Sequence, residues 1–271
     1  MRAGRDWQPS HIVRVNRVVE SSTRPLHAVT DKGTALVKYM GNRAGPDSLI
    51  TELLAAELAT AIGLHTPDFA VVPIPAIKTP NPLVTVSEGP AFFSRWEQAH
   101  PLSPNSELLA NLREPAHVPL LVTFDTWIRN KDRFSNDFDG TNMNYDNILF
   151  RADKRKSQLL VIDHSHAFAE STLEDEINDG WISEETVYGL FNEFSPMLTR
   201  ARIESALTAI RQVEIDQIED ICRSIPTDWG MTASLTKRIS HCLVERAKHM
   251  QQWLPNSLFA QMELDLEGKE V

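Results

Sequence analysis

The prevailing period of the hydrophobic pattern shifts near Trp96, and that shift limits the folds open to the chain. Before it, apolar residues tend to recur at every second position, the spacing of a strand half-buried against a core. His11 to Val19 alternates in this way. Pro25 to Thr30 gives a second run, and Thr34 to Met40 a third, after the tight-turn signal Asp31-Lys32-Gly33. One helix follows. From about Ser48 to Ile62 a stripe of Leu49, Ile50, Leu53, Leu54, Leu58 and Ile62 runs from a cap at Ser48 to a stop at Gly63. Phe69 to Ile74, Leu83 to Val86 and Ala91 to Phe93 predict further short strands, with a proline-rich loop, Pro73 to Pro82, among them.

Beyond Trp96 the spacing becomes helical in Ser106 to Leu112, Val118 to Ile128, Arg200 to Val213, Ile215 to Ile225 and Ala233 to Leu254. Asn147 to Phe150 and Leu159 to Ile162 predict a hairpin around the charged turn Asp153 to Lys156, and the tail Asp265 to Val271 is expected to fray. A sheet followed by helices predicts an α+β fold with a nucleotide cleft between two lobes. The small, β-rich first lobe with its one main helix would span residues 1–95, and the larger helical lobe residues 96–271.

With 271 residues, each lobe is long enough to bury a core. A formal net charge of −10 argues against general binding to nucleic acid, which needs a basic face to neutralise phosphates. Cys222 and Cys242 have no cysteine or histidine at ligand spacing. Met1 to His11 lacks the apolar stretch of a signal peptide, and no apolar run reaches the roughly 20 residues of a membrane helix. These features predict a cytoplasmic protein.

Four sites can carry chemistry. Asn130-Lys131-Asp132-Arg133 follows directly on an apolar helix, where a carboxylate can accept a hydroxyl proton and orient the oxygen towards a phosphate. Asn147 opens the apolar run Ile148-Leu149-Phe150, and its amide oxygen suits Mg²⁺. Asp163 follows four apolar residues, where a buried strand emerges and a carboxylate can bridge Mg²⁺ and phosphate. Lys38 sits on a strand, on the face of Leu36 and Met40, and can reach phosphate oxygens. Taken singly, each has a plain alternative as a solvated loop, a turn residue or an ordinary strand lysine. Their order is the one phosphoryl transfer uses in protein-kinase-like enzymes. The turn Ser21-Ser22-Thr23-Arg24 can add backbone amides and hydroxyls around phosphate.

In these pieces the chain resembles the HipA-like Ser/Thr kinases, particularly their short forms. The similarity runs through Ser21-Ser22-Thr23-Arg24-Pro25, Asp31-Lys32-Gly33, Thr51-Glu52, Leu58-Ala59 and Gly63-Leu64-His65-Thr66-Pro67. It continues in Asn130-Lys131-Asp132-Arg133, Asn147-Ile148-Leu149-Phe150 and Ile162-Asp163-His164-Ser165. The resemblance implies a bilobal kinase-like fold and transfer from ATP, with Mg²⁺, to a protein Ser or Thr hydroxyl. It implies Lys38 on the phosphates, Glu52 as the partner of Lys38, Asp132 as catalytic residue, and Asn147 and Asp163 as metal ligands. It implies that Ser21, Ser22 and Thr23 hold phosphate and that Phe92 to Arg95, hence Phe93, Ser94 and Arg95, form a hinge contacting adenine through the backbone. A toxin–antitoxin role, with a small antitoxin-like partner protein, also follows from it.

The chain departs from the kinase pattern in three places. The amide ligand of many kinases lies about five residues after the catalytic Asp, whereas Asn147 is fifteen residues beyond Asp132. An insertion from Phe134 to Asp146 accounts for this, with Asn136 as the rival ligand. His-Ser follows Asp163 in place of Phe-Gly. The chain is shorter than full-length toxins and starts close to the nucleotide lobe, so a partner could supply what is missing. Helical geometry also leaves Glu57 as a rival to Glu52: at about 100° per residue Glu57 falls within the apolar stripe and Glu52 nearly opposite its centre. Three other functions fit parts of the pattern: a metal-dependent hydrolase built on Asp163-His164-Ser165-His166, a small-molecule phosphotransferase, and a nucleotide-binding pseudokinase.

Overall fold

The computed structural model describes residues 7–79, 81, 84–103, 107–133 and 144–267. Strands β1 (Ile12–Val18), β2 (Leu26–Thr30) and β3 (Gly33–Lys38) form an antiparallel meander. Helix α1 (Asp47–Ala61) follows, then β4 (Phe69–Ile74), β5 (Ile77–Lys78), β6 (Thr85–Val86) and β7 (Gly89–Arg95). The five long strands pair in the order β1-β2-β3-β7-β4, so β7 lies between β3 and β4. Next come β8 (His100–Pro101), α2 (Glu107–Ala110), α3 (His117–Trp127), β9 (Ile148–Asp153) and β10 (Lys156–Val161), the strands forming a sheet in the order β10-β9-β8. Helices α4 (Leu173–Glu176), α5 (Asp179–Ser183), α6 (Arg200–Arg211), α7 (Ile215–Arg223) and α8 (Ala233–Glu267) complete the chain. This is the expected α+β architecture. Among the described residues no helix is long and apolar enough to cross a membrane.

The pleat of the five-stranded sheet divides its side chains between two cores. Leu26, Ala28, Ala35, Val37, Ala91 and Phe93 pack on one face, with Trp7 anchored to the Lys32 carbonyl at 2.8 Å. Phe92, the neighbour of Phe93, points the other way and joins α1 and the later helices in the larger core. Period-two alternation thus sends adjacent phenylalanines to separate cores, and places Lys38 of β3 on the α1 side.

Helix α1 lies between the sheet and α7. Its residues from Ser48 to Ala59 are all buried, polar ones included. A helix covered on every side has no single apolar stripe. The expected cap at Ser48 is not formed. Pro46 occupies the cap position in helical conformation, and the Ser48 hydroxyl donates to the Gly45 carbonyl at 2.7 Å. The stop at Gly63 is present: at φ 86° Gly63 lets the Leu64 N–H reach the Ala59 carbonyl at 2.9 Å.

Two other expectations change. The proline-rich stretch is not all loop, because Pro73 and Ile74 finish β4 and Ile77–Lys78 pairs with Thr85–Val86. Asp265 to Glu267, expected to fray, belong to α8. Ser106 and Leu83 lie outside the described residues.

One contact of α8 bears on the site. Arg246, fully buried, donates through Nη2 to the Thr126 carbonyl at 2.8 Å and through Nη1 to the Trp181 and Glu184 carbonyls at 2.9 and 2.7 Å. It therefore satisfies a carbonyl in the last turn of α3, where intrahelical donors run out. Burial lowers its pKa to about 10, and it stays charged at neutral pH. Replacing it removes a charged donor from these carbonyls and from the Glu184 carboxylate, which keeps Tyr188 Oη and Arg129. Arg246→Met is expected to cost about 3–5 kcal/mol of unfolding free energy in a urea titration; a loss below about 1 kcal/mol would show that the guanidinium is not what secures this end of α3.

Candidate active site

The site begins where α3 ends. Asn130 N–H bonds to the Asp125 carbonyl at 2.8 Å and Arg129 N–H to the Thr126 carbonyl at 3.4 Å, with Arg129 at φ 51°. That is the reversal a helix makes on a left-handed residue, normally glycine. It turns the chain back so that Asn130, Asp132 and Arg133 fold over the helix terminus.

Asp125 holds them there. It is fully buried in α3, taking Asn130 Nδ2 on Oδ1 at 2.9 Å and pairing through Oδ2 with Arg133 Nε at 2.7 Å. Burial raises its pKa, and the Arg133 charge opposes the rise. Gly189, at φ 69°, lies against the carboxylate so closely that a Cβ there would come within 2.5 Å of Asp125 Oδ2. The remaining guanidinium nitrogens of Arg133 reach the start of β9 and the segment after β10. Nη1 donates to the Asn147 carbonyl and, at 3.3 Å, to the Ile162 carbonyl, while Nη2 meets His164 Nε2 at 3.1 Å. Burial, then the Arg133 charge, pushes the His164 pKa well below the ordinary histidine value, so the neutral ring accepts from Arg133. Arg133 is therefore a buried strut.

On the other side of the cleft, Lys38 Nζ bonds Glu52 Oε2 at 2.7 Å and Asp163 Oδ1 at 2.8 Å. Glu52 Oε2 also accepts the His164 N–H at 2.9 Å, and Ser165 Oγ donates to Asp163 Oδ1 at 2.7 Å. Asp163 adopts φ 57°, which breaks the extended line of β10 and turns its carboxylate to Lys38. Burial opposes every charge here. At Asp163 the adjoining ammonium and the Ser165 hydroxyl outweigh it and hold the acid well below the usual carboxylate range. At Lys38 burial is outweighed by Asp163 and Glu52, and the pKa lies above the lysine norm. At Glu52 burial prevails and raises the pKa.

Asp132 faces this pair from the α3 side, with Asn147 Nδ2 bonded to its Oδ2 at 3.1 Å. Burial first, then the Asp163 charge, raises its pKa. Lys38, Glu52, Asp132, Asn147 and Asp163 thus converge. Lys38 pairs with Glu52, although Glu57 is also buried. Asn136, the rival amide, lies outside the described residues, as does 134–143 of the expected insertion. Of the β1–β2 loop, Ser21 and Ser22 are exposed and Thr23 is buried. Ser22 Oγ reaches His166 Nε2 at 2.9 Å, which draws the loop across the cleft to the segment after Asp163.

The residues expected as a hinge lie within a strand. Phe93, Ser94 and Arg95 are in β7, paired with β3 on one edge and β4 on the other, so their backbone groups belong to the sheet. Phe93 points into the first core, and Arg95 pairs with Asp68 at 3.0 Å. Ser94 and Phe92 line a small cavity behind the Lys38–Glu52 pair. The link without strand structure is 96–99. Sequence reasoning also missed Asp125, whose signal was a lone carboxylate inside the apolar run Val118 to Ile128. The hydrolase reading loses its basis: His164 turns to Arg133 and His166 to Ser22, and with Asp163 they form no metal-binding cluster among the described residues.

A family model described as HipA-like kinase matches residues 12–259. No curated protein sequence matches the chain. Among solved structures, the chain is similar to the Helicobacter pylori proinflammatory kinase CtkA, at 13% identity and a TM-score of 0.57, covering 94% of this chain and 97% of that one. It is also similar to HipA of a Shewanella oneidensis toxin–antitoxin system, crystallised with HipB and operator DNA, at 11% identity and a TM-score of 0.47, covering 90% of this chain and 66% of that one.

The coupling of the two carboxylates gives a direct test. In Asp163→Asn, the carboxyl of Asp132 should titrate at lower pH than in the parent, read by ¹³C NMR, because one source of its raised pKa is gone. An unchanged midpoint would mean that Asp132 does not sense Asp163.

Proposed function

The chain belongs to the HipA-like kinase family, and we propose that it transfers the γ-phosphate of ATP, with Mg²⁺, to a Ser or Thr hydroxyl of a protein. The observation that carries this reading is the meeting of Lys38 with Glu52 and Asp163, at 2.7 and 2.8 Å, across the cleft from an Asp132 bonded to Asn147.

In the proposed reaction Asp132 orients the substrate hydroxyl and accepts its proton on the carboxylate. The hydroxyl oxygen bonds to the γ-phosphorus as the bond to the β–γ bridging oxygen breaks, and ADP leaves. The raised pKa of Asp132 makes it a better proton acceptor than an ordinary aspartate. Lys38, already held by two carboxylates, presents a fixed positive charge to phosphate oxygens. Ser21, Ser22 and Thr23 close over the phosphates, and the backbone of 97–99, beyond the sheet bond of Trp96 to Thr34, contacts adenine in place of the β7 residues. Residues 1–95 and 96–271 act as the two lobes of the cleft.

The donor set fits Mg²⁺. Asp163 and Asn147 offer hard oxygens, and the repulsion that Asp163 exerts on Asp132 is of the kind a divalent cation relieves. When bound, the ion neutralises and orients the phosphate oxygens. Family membership extends the proposal to a small antitoxin-like protein partner and to a cytoplasmic setting. The net charge of −10 speaks against direct contact with nucleic acid.

Incubation of the protein with labelled Mg-ATP and a cell lysate, followed by phosphopeptide mapping, tests the reading. Asp132→Ala and Lys38→Met should each lower transfer to protein by about 10²–10⁴-fold while remaining folded. Transfer undiminished in Asp132→Ala, label confined to small hydroxylated compounds, or nucleotide binding without any transfer would each overturn it.

A further inference from the structure

Away from the cleft, His65, Glu114 and His117 bring three donor atoms to within 4.8 Å of one another. The cluster shares no residue with the proposed kinase site. His65 Nε2 lies 2.7 Å from Glu114 Oε2, and His117 Nδ1 lies 3.5 Å from the same oxygen. The imidazole rings meet edge to face at 4.8 Å.

Three anchored pieces of backbone hold these side chains together. His65 follows the Gly63 turn that ends α1, and its carbonyl takes the Val161 N–H at 2.9 Å. Arg113, just before Glu114, donates its N–H to the Ser157 carbonyl at 2.9 Å. Both attachments are to β10, the strand that leads to Asp163. A turn closed by His117 N–H on the Glu114 carbonyl, at 3.0 Å, starts α3 and sets Glu114 and His117 side by side.

One observation separates the cluster from a plain hydrogen-bonded pair. His117 Nδ1 is buried and makes no hydrogen bond. A buried imidazole nitrogen without a partner is costly, and this one lies 3.5 Å from the Glu114 carboxylate. Burial holds the His117 pKa below the ordinary value, which favours the neutral ring that metal coordination uses.

We propose that His65, Glu114 and His117 bind a divalent transition-metal ion, Zn²⁺ by preference, through Nε2, a carboxylate oxygen and Nδ1. Two imidazoles and one carboxylate form a borderline donor set that suits Zn²⁺ over Mg²⁺ or Ca²⁺. Bonds of about 2.0–2.2 Å in a tetrahedron place ligand atoms roughly 3.3–3.5 Å apart. The His117–Glu114 separation of 3.5 Å is already there. The His65–Glu114 hydrogen bond must open by about 0.6 Å, its proton moving to His65 Nδ1. His65 and Glu114, at 35% and 42% side-chain exposure, have room to do so and leave the fourth position to water. Arg113 also acts on Glu114, a nearby positive charge that opposes the cation. Filled, the site pins the loop between α1 and β4 to the start of α3, as a structural clamp across the two lobes.

The test uses the full chain, stripped with chelator and titrated with Zn²⁺ alone, then with Mg²⁺ alone. One equivalent of Zn²⁺ should bind and raise the thermal midpoint, Mg²⁺ should do neither, and Co²⁺ should give the visible spectrum of a low-coordinate site. Glu114→Gln and His117→Asn should weaken Zn²⁺ binding by at least about tenfold while leaving the metal-free midpoint near that of the parent. Should His117→Asn fail to fold, Glu114→Gln and the Co²⁺ spectrum decide. No saturable Zn²⁺ binding, or equal binding in Glu114→Gln, overturns the proposal. Neither result depends on phosphoryl transfer.

Discussion

A buried carboxylate and a buried guanidinium, Asp125 and Arg133, hold the candidate active site in place. Their mutual attraction adds little net stability, because both charges leave water to meet. What matters is the demand the pair makes on its surroundings. Arg133 carries five N–H donors in a rigid fork, and once buried each calls for an acceptor. The acceptors at hand are the Asn147 and Ile162 carbonyls and His164 Nε2. Satisfying one side chain therefore fixes the loop with Asp132, the start of the strand after Asn147 and the residue before Asp163. Arg246 closes the same arrangement from behind by holding the last turn of α3.

Much of this was readable from residues alone, and the failures have physical causes. The strands of the first sheet follow from alternation, and Asp132, Asn147 and Asp163 stood out as polar groups at the ends of apolar runs. The partner of Lys38 was harder. Stripe geometry favoured Glu57 as the inward residue, but α1 is covered on all sides, so inward and outward lose their meaning along it. The stretch expected as a hinge was harder in a different way. Ala91 to Phe93 was correctly seen as a strand, but not that β7 would be central, with its backbone groups taken on both edges. Pairing order depends on long-range topology, which no local pattern encodes. Asp125 was hidden because a helix period does not show which lone carboxylate has a cation waiting in the next loop.

Helix α1 has a double allegiance. It lies along the first sheet, yet its apolar residues belong to the larger core with α3 and the C-terminal helices. Lys38 and Glu52 are thus joined by a helix that also packs with α3 and the C-terminal helices, and the His164 N–H reaches Glu52 from that side. Rigid rotation of the five-stranded sheet and α1 together against the C-terminal helices would disturb this core. Motions that keep α1 with the helices and flex the outer strands would not.

Gly189 sits far along the chain from the motif and carries no functional group. Still, the space beside the Asp125 carboxylate is only as large as a hydrogen atom. The arrangement of the candidate site is thus recorded twice: once in the polar residues that a motif search would find, and once in the volume withheld at a position it would pass over. A side chain at Gly189 would displace a carboxylate on another element, and a catalogue of this site confined to charged side chains would miss one of its strictest constraints.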